Sequence, residues 1–300
     1  MEEGGGNVIF PSGKLELKGC LRLVPTNYVG AEVKLKGNRG SIIEISMGNS
    51  GIAFYAGNLN IFSIEDLIVV GKNVAPGDPE FFDAKYVVYS NFVQQTNIIR
   101  SQFYGLAVPF GGAVVYFGNT DAKVLDSQFD GSLGQYPTGS VIMAENTRGL
   151  TVSRSTFLDY AVLHGEFFSK VPMLVGAWIM VKGGASMNAN GIRRVVVEDS
   201  RFDEGAAIAI SIENVPWVYM TGNSINVSGI SPGKGVYLKN IEHAKIEQSW
   251  FGFSPNPRPA LDLVNIKALE VTSLKLSDGV YFWNRQNVMN SSIRFCEQCR

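Results

Sequence analysis

Glu145 closes the segment GSVIMAEN just before Asn146, Glu213 closes AIAISIEN just before Asn214, and Lys182 lies between them in WIMVKGG. Two carboxyl groups held at a fixed separation can cleave an acetal link. At about 5–5.5 Å they retain configuration, and at about 6.5–9.5 Å they leave room for a water and invert it. A lysine between two glutamates is equally the pattern of an ordinary charge ladder. A second group, Asp159, Tyr160, His164 and Glu166 in DYAVLHGEF, combines residue types that take a proton from a carbon beside a carboxylate. His164 is one of two histidines, and the other, His243 in NIEHAKIE, reads as an exposed corner residue. The densest acids are Asp199, Asp203 and Glu204 in VEDSRFDEG; such oxygens suit calcium, but the spacing matches no EF-hand loop and reads first as exposed turn acids. No cofactor is implied. Cys296 and Cys299 form a terminal CxxC, half a zinc site at most, with Cys20 remote in sequence.

What must position these residues is a repeat. GAVVYFGN, GSVIMAEN, AIAISIEN, GKGVYLKN and RPALDLVN end at Asn119, Asn146, Asn214, Asn240 and Asn265, with steps of 27, 26 and 25 residues between adjacent blocks. A second column of apolar residues runs beside it: Phe103, Phe129, Phe157, Phe202, Ile225, Phe251 and Leu276. A period near 25, strict alternation, and Gly and Asn between short apolar runs predict an all-β parallel solenoid, a β-helix of about 10–12 coils. The 45-residue interval between Phe157 and Phe202 is one rung carrying an insertion or two rungs with one disguised, and the WIMVKGG segment within it favours two. Each asparagine is expected at a sharp corner, in the left-handed conformation it tolerates, with stacked amides bonded along the axis. The phenylalanines should stack inside the next corner.

Alternation divides each strand between two faces. With every ladder asparagine pointing inward, the residues two and four before it also point inward: Phe117 and Val115, Ala144 and Ile142, Ile212 and Ile210, Leu238 and Val236, Leu263 and Leu261, all apolar. The outward column then holds Tyr116, Glu145, Glu213, Tyr237, Lys239 and Asp262; AWIMVKG adds Trp178 and Lys182, and GVYFWN adds Tyr281 and Trp283. Glu145, Glu213, Lys182 and, separately, His164 are the catalytic candidates. Tyr116, Trp178, Tyr237, Asp262, Tyr281 and Trp283 are the substrate-binding candidates, because sugar rings stack on aromatic faces and bond to carboxylates. Rungs stack about 4.8 Å apart. If the rung of Lys182 is single, Glu145 and Glu213 stand two rungs apart, about 9–10 Å at the backbone, compatible with an inverting pair. Aromatic residues are also enriched at protein interfaces, so the same column reads equally well as a contact between subunits.

The opening GGGNVIFPSGKLELKGCLRLV, followed by VKLKGNRGSIIEI and GNSGIAFYAGNLNIFSIEDLIVVG, resembles the first coils of pectate-lyase-like (pectin-lyase fold) right-handed β-helices. It is most similar to the branch found in bacteriophage tailspikes and polysaccharide depolymerases. The likeness covers residues 4–71 by motif and the rest by repeat pattern. It implies a single-stranded right-handed parallel β-helix, a homotrimer, and a polysaccharide or cell-surface glycan as partner. Members usually carry an amphipathic helix before the GGG segment. Here Met1, Glu2 and Glu3 precede it, so the expectation is a longer parent chain or a partner covering the open end. The paired aspartates and GHG of polygalacturonases do not occur, nor does the WIDH-type set of pectate lyases. No catalytic residue is carried over from the family.

The chain of 300 residues is 45% hydrophobic and 18% charged, with a formal net charge of −1. That balance supports a sizeable core and argues against nucleic acid as a partner; no apolar run reaches membrane-spanning length. The expected organisation is one β-helix domain over residues 1–295. It has first coils at 4–71, regular coils at 91–285, an irregular insertion near 160–190, and a tail at 296–300. The start MEEGGGNVIF lacks the basic and apolar regions of a signal peptide. The expected function is a virion-associated or cell-surface β-helix that binds, and in its catalytic form cleaves, a polysaccharide, with other virion or surface proteins as further partners. Two alternatives stand beside it: a structural spike or filament subunit, and a secreted polysaccharide lyase or glycoside hydrolase.

Overall fold

The computed structural model describes residues 5–25, 30–46, 51–72, 83–106, 108–109, 111–130, 139–158, 177–184, 193–203, 208–226, 234–252, 258–277 and 280–294. Three short strands make one rung. Ala113–Gly118 is followed by Asp121–Leu125 and Gln128–Asp130. Each pairs in parallel register with its counterpart one rung on: Ser140–Glu145, Gly149–Ser153 and Thr156–Leu158. Strand on strand, the rungs build a 19-stranded sheet carrying the first two strands of each coil and a 10-stranded sheet carrying the third. The chain is an all-β parallel β-helix, and letters about one period apart are vertical neighbours.

The interior follows from that stacking. Phe103, Phe129, Phe157 and Phe202 are fully buried and meet ring on ring at 5.0, 5.1 and 4.7 Å, with planes within 8°. Ile225, Phe251 and Leu276 continue the column in register. Phe157 pairs directly with Phe202. The 45-residue interval is therefore one rung and not two. WIMVK supplies the first strand, Ala177–Lys182, of Phe202's own coil, and the additional residues fall before and after that strand. Rungs are held by lateral hydrogen bonds, so a longer connection costs only loop entropy, which grows slowly with length.

The first corner is built by the asparagines. Asn119, Asn146, Asn214, Asn240 and Asn265 all have φ between 50° and 57°, the left-handed region that Asn adopts more readily than most residues. Amide bonds run along the axis: Asn240 donates to Asn214 at 2.8 Å, Asn265 to Asn240 at 2.9 Å, and Asn287 to Asn265 at 2.9 Å. The ladder stands on the outside of the corner, however. Asn119, Asn146 and Asn265 are exposed and Asn214 and Asn240 half-buried. The inward place goes to the next residue, the buried Thr120, Thr147, Val215, Ile241 or Ile266. A left-handed residue reverses the turn of the backbone, so strand alternation does not carry across it. Before the corner it does: the ten apolar residues two and four positions ahead of the asparagines are all fully buried.

The second corner has a different chemistry. Asp66, Arg100, Asp126 and Arg154 occupy it on successive rungs, each at positive φ. Arg100 bonds Asp66 through two nitrogens at 2.7 and 3.0 Å, and Arg154 bonds Asp126 the same way. Just inside lies a column of buried hydroxyls. Ser127, Ser155 and Ser200 accept from the backbone N–H of Ser101, Ser127 and Ser155, respectively, and donate to the carbonyl two residues earlier in their own chain. Every donor in this column has an acceptor, which is what burial demands.

Candidate functional site

The outward positions of the first strands stack into columns; the column at the start of the strands is buried at Ala113, Ser140 and Ala177, and Met143 and Ser211 are buried in the middle one. The middle column runs Arg22, Tyr55, Tyr89, Tyr116, Met143, Met180, Ser211, Tyr237, Asp262 and Asn284. The column nearest the asparagine corner runs Gly118, Glu145, Lys182, Glu213 and Lys239. Glu145 and Glu213 are thus separated by the single rung of Lys182, about 9–10 Å at the backbone by strand spacing.

The local contacts give these groups distinct characters. The Tyr116 hydroxyl donates to Glu145 Oε2 at 3.3 Å. Burial, reinforced by the Glu145 charge, pushes the Tyr116 phenol far above its ordinary value. Tyr116 is therefore a hydrogen-bond donor and not a base. Lys239 Nζ lies 3.6 Å from Glu213 Oε2, whereas among the described residues no carboxylate lies within ion-pair distance of Lys182. Lys234 sits over the Tyr237 ring at 5.0 Å and is ion-paired with Asp262.

The tyrosine faces are largely occupied by one another. Tyr55 stacks on Tyr89 at 5.5 Å and Tyr89 on Tyr116 at 4.7 Å, with planes within 11°; Tyr86 tilts against Tyr89 and Tyr116 at 5.1 and 5.2 Å. What this patch offers a ligand is a row of ring edges and hydroxyls one rung apart. Tyr55 was readable, since IAFYAGN ends at Asn58 and carries tyrosine three places before it. YVVYSNF hides the same frame because Phe92 takes the corner in place of asparagine.

Two substrate-binding candidates lie elsewhere. Trp178 is only 2% exposed and packs in the core, 6.0 Å from Phe157. It occupies a position that the rung-to-rung pairing skips, between Ala177 and Ile179, and Val114 and Val141 are buried at the same point of their rungs. Ala177, Trp178 and Ile179 are buried in succession, so simple alternation fails there. Trp283 pairs with Leu261 and belongs to the inward column of the last rung, packed against the core. The ladder asparagine of that rung is Asn287, not Asn284, and a three-residue shift inverts every face. Tyr281 is outward and 41% exposed, at the strand's first outward position. His164, with Asp159, Tyr160 and Glu166, lies outside the described residues, as do Glu204, Cys296 and Cys299. Asp203 is ion-paired with Arg201. His243 is exposed as expected, but inside the continuous strand Lys234–Glu247.

Around the asparagine corner from this face lies an open groove of about 960 Å³ that spacing did not reveal. Asp121, Gly149, Arg194 and Trp217 stack in register along it, and His243 continues the column beyond Trp217. Arg148 and Arg193 flank this column, and Phe92 stands at the far end. Phe92 is 63% exposed and Trp217 55%. The Trp217 indole lies flat on the His243 imidazole at 4.1 Å and 12°. No fixed period links these residues, because the connections between their rungs differ in length.

No protein-family model matches the chain, and no curated protein matches it. Among solved structures, the A-module of a mannuronan C-5 epimerase from Azotobacter vinelandii is similar at a TM-score of 0.40 and 10% sequence identity. That match covers 96% of this chain and 91% of the other.

Proposed function

We propose that this protein is a tailspike-like β-helix, displayed on a virion or cell surface, that binds a polysaccharide lengthwise along its outer sheet face. One observation carries the reading: the outward columns of successive rungs run along one axis and line up the hydroxyls of Tyr116 and Tyr237, the carboxylates of Glu145, Glu213 and Asp262 and the ammonium groups of Lys182 and Lys239. A linear polymer of hydroxylated units is the ligand whose own repeat runs the same way. Tyr237 and Lys182 donate to its oxygens, and Tyr116, whose own proton is held by Glu145, accepts from its hydroxyls together with Glu145, Glu213 and Asp262. Such shallow polar contacts are individually weak and gain strength by repetition along the chain.

Glu145 and Glu213 carry the catalytic part of the proposal. Their backbone separation of about 9–10 Å lies at the upper end of the inverting range, and a hydrolase of this geometry releases product of inverted configuration. The test is a panel of capsular and O-antigen-type polysaccharides, read by affinity electrophoresis for binding and by new reducing ends for cleavage. Binding that weakens with Tyr116→Ala, and reducing ends lost with Glu145→Gln or Glu213→Gln, support both parts. Binding without cleavage leaves a non-catalytic adhesin. Absence of binding to every glycan, together with a stable oligomer by sedimentation, favours the spike-subunit reading, for which the mutually stacked tyrosines also speak.

A further inference from the structure

The groove beyond the asparagine corner has a chemistry the outer face lacks. Three guanidinium groups, those of Arg148, Arg193 and Arg194, border it against one carboxylate, Asp121. The chain as a whole carries a net charge of −1, so this is a local cationic excess. Among the described residues, no carboxylate stands within ion-pair distance of Arg148 or Arg194. The stems are fixed by backbone bonds, with Arg148 N–H donating to the Thr120 carbonyl at 2.8 Å and Arg193 N–H to the Arg148 carbonyl at 3.0 Å. Gly149 opens the floor between Asp121 and Arg194: a Cβ there would come within 3.0 Å of Asp121 Oδ1.

The groove's two ends are aromatic, and both depart from what a plain corner needs. Trp217 is held flat by His243 and leaves its other face to solvent. Phe92 has φ of 55° where the neighbouring corners use Asn58 and Asn119. A bulky residue in that conformation is an outlier, and such outliers cluster at functional sites. The rungs of Phe92 and Trp217 are four steps apart, about 19 Å along the axis, the span of a short oligosaccharide.

We infer that this corner groove is a second glycan subsite, one that takes the carboxylate-bearing sugars of an acidic polysaccharide. It rests on the reading above that the ligand is a polysaccharide. The planar fork of arginine matches a carboxylate in two parallel hydrogen bonds, while the exposed indole provides the flat apolar surface on which a sugar ring stacks. The outer face and the groove flank the same asparagine ladder, so one chain can lie on the first while its acidic units reach the second.

The test compares the whole protein's affinity for polygalacturonate, for neutral dextran and for single-stranded DNA, at low and moderate salt. The expected result is a preference for polygalacturonate that weakens as salt rises. Arg148→Ala and Arg194→Ala each reduce that affinity about tenfold, the equivalent of one charge-assisted contact of about 1.4 kcal/mol. Trp217→Ala reduces it comparably, and circular dichroism shows all three variants folded. Arg194→Lys, which keeps the charge but loses the fork, recovers only part of the loss. If a neutral glycan binds and Tyr116→Ala removes that binding while the arginine and tryptophan variants change nothing, the outer-face reading stands and this one falls. Equal affinity for DNA, insensitive to Trp217→Ala, would reduce the groove to a generic basic patch. Binding to no glycan at all overturns both.

Discussion

Thr120 and Thr147 set up a prediction in which the same substitution on neighbouring rungs has opposite signs. Both follow a ladder asparagine and both are 0% exposed. The Thr120 hydroxyl lies 2.9 Å from Thr96 Oγ1, which in turn lies 2.6 Å from Ser90 Oγ. The Thr147 hydroxyl is buried with no hydrogen-bond partner among the described residues. A buried hydroxyl without a partner forfeits its hydration, a penalty of about 1–3 kcal/mol, whereas a satisfied one contributes about 1 kcal/mol net. Valine has nearly the same shape without the polar atom. Thr147→Val is therefore expected to stabilise the protein by about 1 kcal/mol and Thr120→Val to destabilise it by about the same amount. With an unfolding entropy of about 2.1 cal/mol/K per residue and 300 residues, 1 kcal/mol corresponds to about 2 °C. Thermal unfolding followed by circular dichroism should place Thr147→Val about 2 °C above the parent and Thr120→Val about 2 °C below it. If Thr147→Val loses stability to the same extent as Thr120→Val, the Thr147 hydroxyl has a partner and the orphan argument is wrong.

Phe92→Asn should stabilise the corner by about 1 kcal/mol, because asparagine pays less for the left-handed conformation; urea titration measures this, and binding of acidic glycan should fall in the same variant. Phe129→Ala removes a fully buried ring stacked on both sides and is expected to cost about 4 kcal/mol, read as a large drop in the urea midpoint or failure to accumulate folded protein. The hydrogen-bonded guanidinium groups of Arg100 and Arg154 hold the Asp66 and Asp126 carboxyls below their ordinary value. Their contribution is thus present above the unfolded carboxylate value near about 3.9 and is lost as pH falls through the lower folded values. The double variant Asp66→Asn, Asp126→Asn should lose stability at neutral pH and show a flatter decline in acid, measured by unfolding from pH 7 down to pH 2.

The phenylalanine column and the ten inward residues ahead of the asparagines were legible in the letters alone. A strand buried on one face must alternate, and a solenoid must write that alternation again each turn, so burial leaves a local, periodic record. The left-handed asparagines were legible for the same reason, since few other residues take that conformation cheaply. Other features depended on phase or distance that no local pattern stores. Trp178 lies where three successive residues are buried, and Trp283 takes its phase from Asn287, not from Asn284. The ladder stands outside because a left-handed residue resets the alternation. The Arg100–Asp66 and Arg154–Asp126 bonds join residues whose partnership exists only once the rungs are stacked.

The sequence by itself determined the β-helix, its period and the residues that fill it, because packing against water constrains every turn in the same way. Only the tertiary structure decided which side chains meet on the surface. Phe92, Arg148, Arg194 and Trp217 come to line one groove through the register of rungs with unequal connections, and that register is set by interstrand hydrogen bonds, not by spacing along the chain.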